Sequence, residues 1–379
     1  LTSEPQEEDE NEERGLVPEI LGMLAVVYVL VLGASLLAGS VAFVANSLYV
    51  IVAAVFLYIP WWWMDRKGLD FDAFGLTTER MGRDILIGLA AALLTAAPFA
   101  AGYWYWQTEV HDRAYQFQWS NYLKWSPEYE GEPDSWGDEP GVWIWTRDRQ
   151  VHVGIRAEDA QKSTFSVEVD EPMLPIVEGE ASAKMDGADR TRWEVRVPAG
   201  SGKSRLVLRP QGPGTADFAK TLSVEATSDA TMPIRAGPSA SRQSGGSFSM
   251  HRGLGWLALW LITHVFFVAL PEEFFYRGYL QTRIRQAFGY EVDSTEKVDA
   301  AGDSAIAGFT ASNLLASVAF AAGHLLIPIG GQIQLGRASV FFPSLIFGWL
   351  RDWTGGVAAS VTYHAACNMM MLLAAVHFF

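Results

Sequence analysis

Seven apolar runs, at 19–39, 43–63, 84–103, 254–271, 305–327, 338–352 and 355–379, punctuate the chain. A bilayer core takes about 20 apolar residues per helix. Each run is therefore a candidate membrane span, and the sixth is short enough to be tilted or to be half of a broken helix. Tryptophans at 61–63 ("WWW") and the "YWYW" at 103–106 sit where indole and phenol rings favour a membrane–water interface. Between the third and fourth runs the period changes. "VWIWTRDRQVHVGIR" (142–156), "TFSVEVD" (164–170), "RWEVRV" (192–197) and "SRLVLRP" (204–210) alternate apolar with polar residues, as half-buried strands do. "PAGSGK" reads as the turn of a hairpin, and "GPSASRQSGGSFS" (237–249) has the composition of a flexible linker. The pattern predicts a polytopic α-helical membrane protein of about 7–8 transmembrane helices with an inserted all-β, sandwich-like extramembrane domain. Its parts are an acidic disordered tail (1–18), N-terminal transmembrane helices (19–106), a β-rich extracytoplasmic domain and linker (107–250) and a second membrane region (251–379).

Composition sharpens this picture in three ways. Half of the 379 residues are hydrophobic and mean hydropathy is positive, which suits a membrane protein better than one soluble domain. The formal charge of −15 argues against nucleic acid, whose phosphates call for a basic face. Much of that charge lies in "EPQEEDENEER" (4–14), a solvated run of the kind that stays disordered. The single cysteine, Cys367, leaves the β region without disulfides. The first apolar run exceeds a signal-peptide core and follows acidic rather than basic residues, so it reads as a span. Arg66, Lys67, Arg80 and Arg83 form a short basic loop, and Arg277, Arg283 and Arg285 read as a second one. Short basic loops face the cytoplasm. The tail is then cytoplasmic, the β domain extracytoplasmic, and the location a multi-pass inner (cell) membrane.

Ionisable residues inside apolar helices carry the chemistry. "PEEFFYRGYL" (271–280) follows an apolar run directly, and a charge at mid-bilayer costs on the order of 3 kcal/mol on the gentlest scales. Glu273 and Arg277 are i and i+4, with the acid N-terminal, the favourable order for an intrahelical pair. Glu272 has no such partner and is a candidate general base. "SVAFAAGHL" (317–325) sets Phe320 and His324 one turn apart, and "YHAACNMM" (363–370) sets His364 and Asn368 on one face. A lone membrane histidine is most often an interior hydrogen-bonder; three such constellations in succession point to one site. The "GSGKS" at 200–204 is no phosphate loop, because Val197 stands where a Walker glycine is required. His264 reads as packing, Cys367 as an inert small hydrophobe, Arg351 and Asp352 as an interface mark, and the tryptophans at 104, 106, 119, 125, 143 and 145 as girdle and β core.

"EEFFYRG", "SVAFAAGH" and "GGVAASVTYHAACN" together resemble the CAAX-protease and bacteriocin-processing membrane proteins (CPBP, or Abi), whose prenyl-protein endopeptidase members are glutamic intramembrane proteases. The resemblance covers roughly 254–379 and more loosely the earlier spans; the β insert lies outside it. It implies a CPBP-type catalytic membrane domain at 251–379 that hydrolyses a peptide bond near the terminus of a membrane-associated or exported protein. Glu272 with His324 would hold and deprotonate the attacking water. His364 and Asn368 would donate to the oxyanion, Glu273 and Arg277 would be architectural, and Phe320 would line the site. No cofactor and no metal are expected. The expected partners are a protein or peptide substrate, the lipid bilayer, and a recognition partner for the β domain. Two rivals are a metal-dependent membrane hydrolase, disfavoured by the absence of HExxH and by asparagine being a poor zinc ligand, and a non-catalytic membrane scaffold or immunity protein.

Overall fold

The computed structural model describes residues 5–38, 40–113, 115, 117, 119–122, 124–125, 129–147, 150–157, 163–170, 173–187, 190–210, 221–226, 232–237, 241–243, 246–249, 251–290, 304–306, 309–326 and 335–378. Backbone contacts divide the chain into two units, one of residues 1–99 and 259–372, the other of 100–258 and 373–379.

The first unit is helical. It contains α1 (Pro5–Ala38), α2 (Ala42–Lys67) and most of α3 (Met81–Tyr105). A segmented rod follows, made of α4 (Gly255–His264), α5 (Leu270–Glu273) and α6 (Gln281–Ala287), joined by π-helical turns at Val265–Ala269 and Phe274–Leu280. α7 (Ala311–Leu326), α8 (Phe341–Thr354) and α9 (Ala358–Ala375) complete it. Gly68, at φ 66°, ends α2 in the left-handed region that favours glycine, and Arg66 and Lys67 lie in the last turn, where cations complement the helix dipole. The acidic run expected to be disordered is instead the first part of α1, from Pro5 onward. Glutamates are good helix formers, and negative charge is favourable at a helix N-terminus.

Among the described residues four helices are long and apolar enough to cross a membrane: Gly15–Ala38, Ser47–Lys67, Met81–Val110 and Gly255–Ala287. That is fewer than the seven or eight expected. α7 and α8, of 16 and 14 residues, reach only about 24 and 21 Å at ~1.5 Å per residue. The larger correction concerns 254–287. What reads as a span followed by a basic loop is one 33-residue rod, about 50 Å long, with the two glutamates near its middle. Its arginines are therefore not loop charges. Arg277, Arg283 and Arg285 are all buried, each against a carboxylate: Glu273 at 3.3 Å, Glu19 at 2.8 Å and Asp352 at 2.8 Å.

Those pairs tie the helices together. Glu19 of α1 accepts from Lys67 of α2 (2.5 Å), from Arg283 of α6 and from the Tyr279 hydroxyl (2.8 Å). Asp352 of α8 accepts from Arg285, from Gln281 (2.7 Å) and from Thr310 just before α7 (2.9 Å). Arg351 is buried too, donating to the carbonyls of Gly355 (2.6 Å) and Ala73 (3.1 Å). Both Arg351 and Asp352 satisfy buried polar groups between helices, where an unmet donor or acceptor is costly. α8 lies against α7 at Gly348, where a Cβ would stand 1.9 Å from Asn313 Oδ1. Phe56, Phe74, Phe275, Tyr279, Phe320 and Phe347 belong to the core that these helices share.

The second unit holds strands β1 (Lys124–Trp125), β2 (Gly141–Arg147), β3 (Gln150–Arg156), β4 (Ser163–Val169), β5 (Met173–Glu178), β6 (Ser182–Met185), β7 (Arg192–Val197), β8 (Lys203–Pro210), β9 (Thr221–Ala226), β10 (Ile234–Ala236), β11 (Ser241–Gln243), β12 (Gly246–Ser249) and β13 (His251–Arg252). One sheet runs β11-β10-β2-β3-β8-β5 and the other β12-β9-β4-β7-β6. Val142, Val153 and Leu206 of the first share one core with Phe165, Val195 and Leu222 of the second, so the two form a sandwich. The 142–156 run divides into β2 and β3, paired antiparallel. Two sequence expectations fail here. "PAGSGK" is no hairpin turn, because β7 and β8 lie in different sheets; Gly200 and Gly202, at φ 68° and 64°, turn the corner between them. The supposed linker contributes edge strands β11 and β12, pairing with β10 and β9, and Phe248 enters the core. Residues 238–240 and 244–245 of that stretch lie outside the described residues.

Candidate active site

Three helical segments supply the site residues that the sequence singles out. The rod carries Glu272, Glu273 and Arg277, α7 carries Phe320 and His324, and α9 carries His364 and Asn368. Both glutamates close the short α5 segment between two π-helical turns. Such turns are rare and concentrate at functional sites.

Glu273 is fully buried and serves two partners. Oε2 accepts from Arg277 Nε at 3.3 Å, the intrahelical pair read from the spacing, and Oε1 meets His364 Nδ1 at 2.9 Å. Arg277, also fully buried, donates Nη2 to Ser344 Oγ at 2.5 Å. Its guanidinium carbon lies 5.5 Å from the Phe320 ring centroid and 5.8 Å from that of Phe347, within cation–π range. Phe347 also stacks on the His364 imidazole, centroids 4.7 Å apart and planes 16° apart. The ring that α9 brings in is thus fixed in plane by α8 and in rotation by Glu273.

Glu272 differs from its neighbour. Its Oε2 is buried, accepts no hydrogen bond from the described residues, and lies 3.9 Å from His364 Nε2. Arg337, on the short 3₁₀ turn Leu335–Val340 ahead of α8, is close enough for its charge to act on Glu272. His364 stands between two carboxylates: one bonded to Nδ1, the other facing Nε2.

His324 joins this group through Phe320. Its ring lies 4.5 Å from the Phe320 ring, whose centroid is 5.8 Å from that of His364. His324 Nδ1 bonds the Phe320 carbonyl at 3.0 Å, one turn back on its own helix, which directs Nε2 away from that helix. Among the described residues it makes no ion pair with Glu272. Asn368, half-buried one turn beyond His364, keeps its side chain out of any hydrogen bond with the described residues.

The sequence missed Ser344 and Phe347, which sit on α8 and carry no polar-spacing signal. It also assigned Glu273 to Arg277 alone, since the bond to His364 spans 91 positions. His264 packs on Trp260 and bonds its carbonyl at 2.9 Å. Cys367 is half-buried against the helical core. No group of three or more His, Cys, Asp or Glu side chains among the described residues is placed to hold a metal ion.

Residues 254–370 match the family model of type II CAAX prenyl endopeptidase, Rce1-like, which agrees with the CPBP/Abi resemblance of the three motifs. At family level this segment is similar to CAAX-protease-type membrane hydrolases. No curated protein and no solved structure matches the chain.

Proposed function

We propose that this Rce1-like segment hydrolyses a peptide bond within the membrane, near the terminus of a membrane-associated or exported protein, with a water activated by carboxylate and imidazole. The observation that carries the proposal is the buried, unbonded Oε2 of Glu272, 3.9 Å from His364 Nε2. A buried carboxylate oxygen calls for a donor, and the attacking water is the donor assigned to it. Glu272 takes the proton from that water and passes it to the leaving amine nitrogen as the C–N bond breaks, while His324 holds the water from α7 through the ring nitrogen not tied to Phe320.

His364 and Asn368 stabilise the oxyanion. With Nδ1–H given to Glu273, the ring keeps an Nε2–H only when doubly protonated. Glu273, bonded to both, secures His364 and Arg277. Preoriented donors in a dry pocket lower the barrier because they need no rearrangement as charge develops. A second assignment is favoured by the same 3.9 Å approach: a neutral His364 whose Nε2 lone pair shares the water's proton with Glu272. His364→Gln separates the two. Glutamine keeps a donor but cannot act as a base, so residual turnover supports the oxyanion role and its complete loss supports the base role.

No metal enters this chemistry: activity that chelation abolishes and zinc restores would replace it with a metal-dependent mechanism. The β sandwich is assigned to the extracytoplasmic side of a cell (inner) membrane, where it would engage a protein partner. The basic loop with Arg66, Lys67, Arg80 and Arg83 supports that side. Comparative proteomics of membranes carrying the wild type or Glu272→Ala tests the whole reading. A membrane or exported protein that keeps a terminal segment only in the variant supports hydrolysis. Identical proteomes, or full biological effect in Glu272→Gln, would favour a scaffold.

A further inference from the structure

Tyr28 and Tyr276 are two tyrosines to which the proposed chemistry gives no part. Tyr276 lies in the rod one turn beyond Glu272 and is buried. Its ring meets the Phe320 ring edge-on at 5.0 Å, and its hydroxyl points at the hydroxyl of Tyr28 from α1, 3.5 Å away. Tyr28 donates to the carbonyl of Ala319 on α7. In an α-helix that carbonyl also accepts from the N–H four residues on, which here is Gly323. Gly323 precedes His324, and it is where the two phenols converge. A Cβ there would stand 2.6 Å from the Tyr276 hydroxyl oxygen and 3.4–3.5 Å from the tip of Tyr28.

We propose that the hydroxyl pair of Tyr28 and Tyr276, seated against the bare backbone of Gly323, is a positioning device that fixes where His324 stands relative to the helix bearing Glu272. This rests on the hydrolytic reading given above. Tyr276 is well placed for the task because it touches both sides: covalently it is four residues from Glu272, and in space it abuts Gly323 and Phe320. Tyr28 supplies the third point, so that α1, the rod and α7 meet at one pair of oxygens. The hydroxyl occupies the space that a side chain at 323 would otherwise fill. The separation of rod and α7 at His324 is set by that oxygen.

Volume complementation tests the device. Gly323→Ala overfills the space, Tyr276→Phe leaves it short by an oxygen, and the double variant Gly323→Ala/Tyr276→Phe puts a methyl where the oxygen was. Two readouts are used on the full chain in nanodiscs. One is cleavage of a quenched fluorogenic peptide spanning the site found in the protein that accumulates with Glu272→Ala. The other is the ¹⁵N resonances of His324, assigned by their loss in His324→Gln. Gly323→Ala is expected to shift those resonances and to lower cleavage by ~10²-fold, the size of effect an ångström of misplacement produces. The double variant is expected to return both toward wild type. Wild-type spectrum and rate in Gly323→Ala would overturn the proposal, as would a double variant no better than the single one. Should Gly323→Ala fail to fold, the double variant decides: folded with a wild-type His324 signal it supports the device, and unfolded it refutes it. A wild type that cleaves nothing defeats the hydrolytic reading alone, since the histidine spectrum still reports whether the phenols position His324.

Discussion

Glu273 makes the point at residue scale that neighbours in sequence can have separate tasks. It is closed off from solvent and shared between Arg277 and His364, whereas Glu272 keeps a buried oxygen unbonded among the described residues. Their substitutions should differ accordingly. Glu272→Gln is nearly isosteric and is expected to leave the fold intact while lowering hydrolysis by ~10²–10⁴-fold, the usual contribution of a general base. Thermal unfolding and single-turnover cleavage measured on the same sample check both halves. Glu273→Ala strands the Arg277 guanidinium in a site with no solvent exposure, and breaking such a buried pair costs about 3–5 kcal/mol. A lower unfolding midpoint in detergent is therefore expected, partly recovered in Glu273→Ala/Arg277→Met, where no lone charge remains. Helical spacing made Glu273–Arg277, Phe320–His324 and His364–Asn368 legible in the sequence. Ser344 and Phe347 were not, because a lone serine or phenylalanine carries no mark until the facing residue is known.

Between Gly255 and Ala287 the elements override the loop that charge patterning suggests. Arginine clusters mark loops only when the arginines are solvated, and here Glu19, Glu273 and Asp352 hold them inside. Glu19 is one of these ties, drawing Lys67, Tyr279 and Arg283 to one carboxylate. Close approach is the other device at this scale. Gly348→Ala would press a methyl into Asn313 Oδ1 and within 2.8 Å of Gln281 Oε1. Overpacking of that kind costs about 1–3 kcal/mol, so a measurable fall in unfolding midpoint is expected. An unchanged midpoint would mean that α7 and α8 can separate freely at that level. In the sandwich, alternation identified β4, β7 and β8 but could not say that β7 and β8 belong to opposite sheets. A turn sequence is compatible with either path, and pairing across the sheets decides.

At the scale of the whole molecule each unit can be probed in the full chain. In the β unit His152 is stacked on Trp145, ring centroids 5.2 Å apart, and burial, aided by the Arg205 charge, pulls its pKa down from 6.5 to about 4. As pH falls below about 6.5 the unfolded chain takes up the proton first. The stabilisation from His152 is therefore complete above pH 6.5 and is lost progressively toward pH 4. Hydrogen exchange of the β2 and β3 amides, corrected for intrinsic rates, should show weaker protection at pH 5 than at pH 7, and His152→Gln should flatten that difference. Sidedness has its own check: protease added to sealed right-side-out vesicles should cut within 141–249, and cutting only after lysis would place the β unit on the inner face. The sequence by itself determined a membrane protein with a β insert and the residue pairs of the site, because helical and strand periodicities are local and a charge in an apolar run is conspicuous. Tertiary structure alone decided that 254–287 is one rod, that the basic residues are internal ties, and that Glu273 rather than Glu272 bonds His364. Those outcomes depend on partners tens to hundreds of positions away, whose proximity no local pattern encodes.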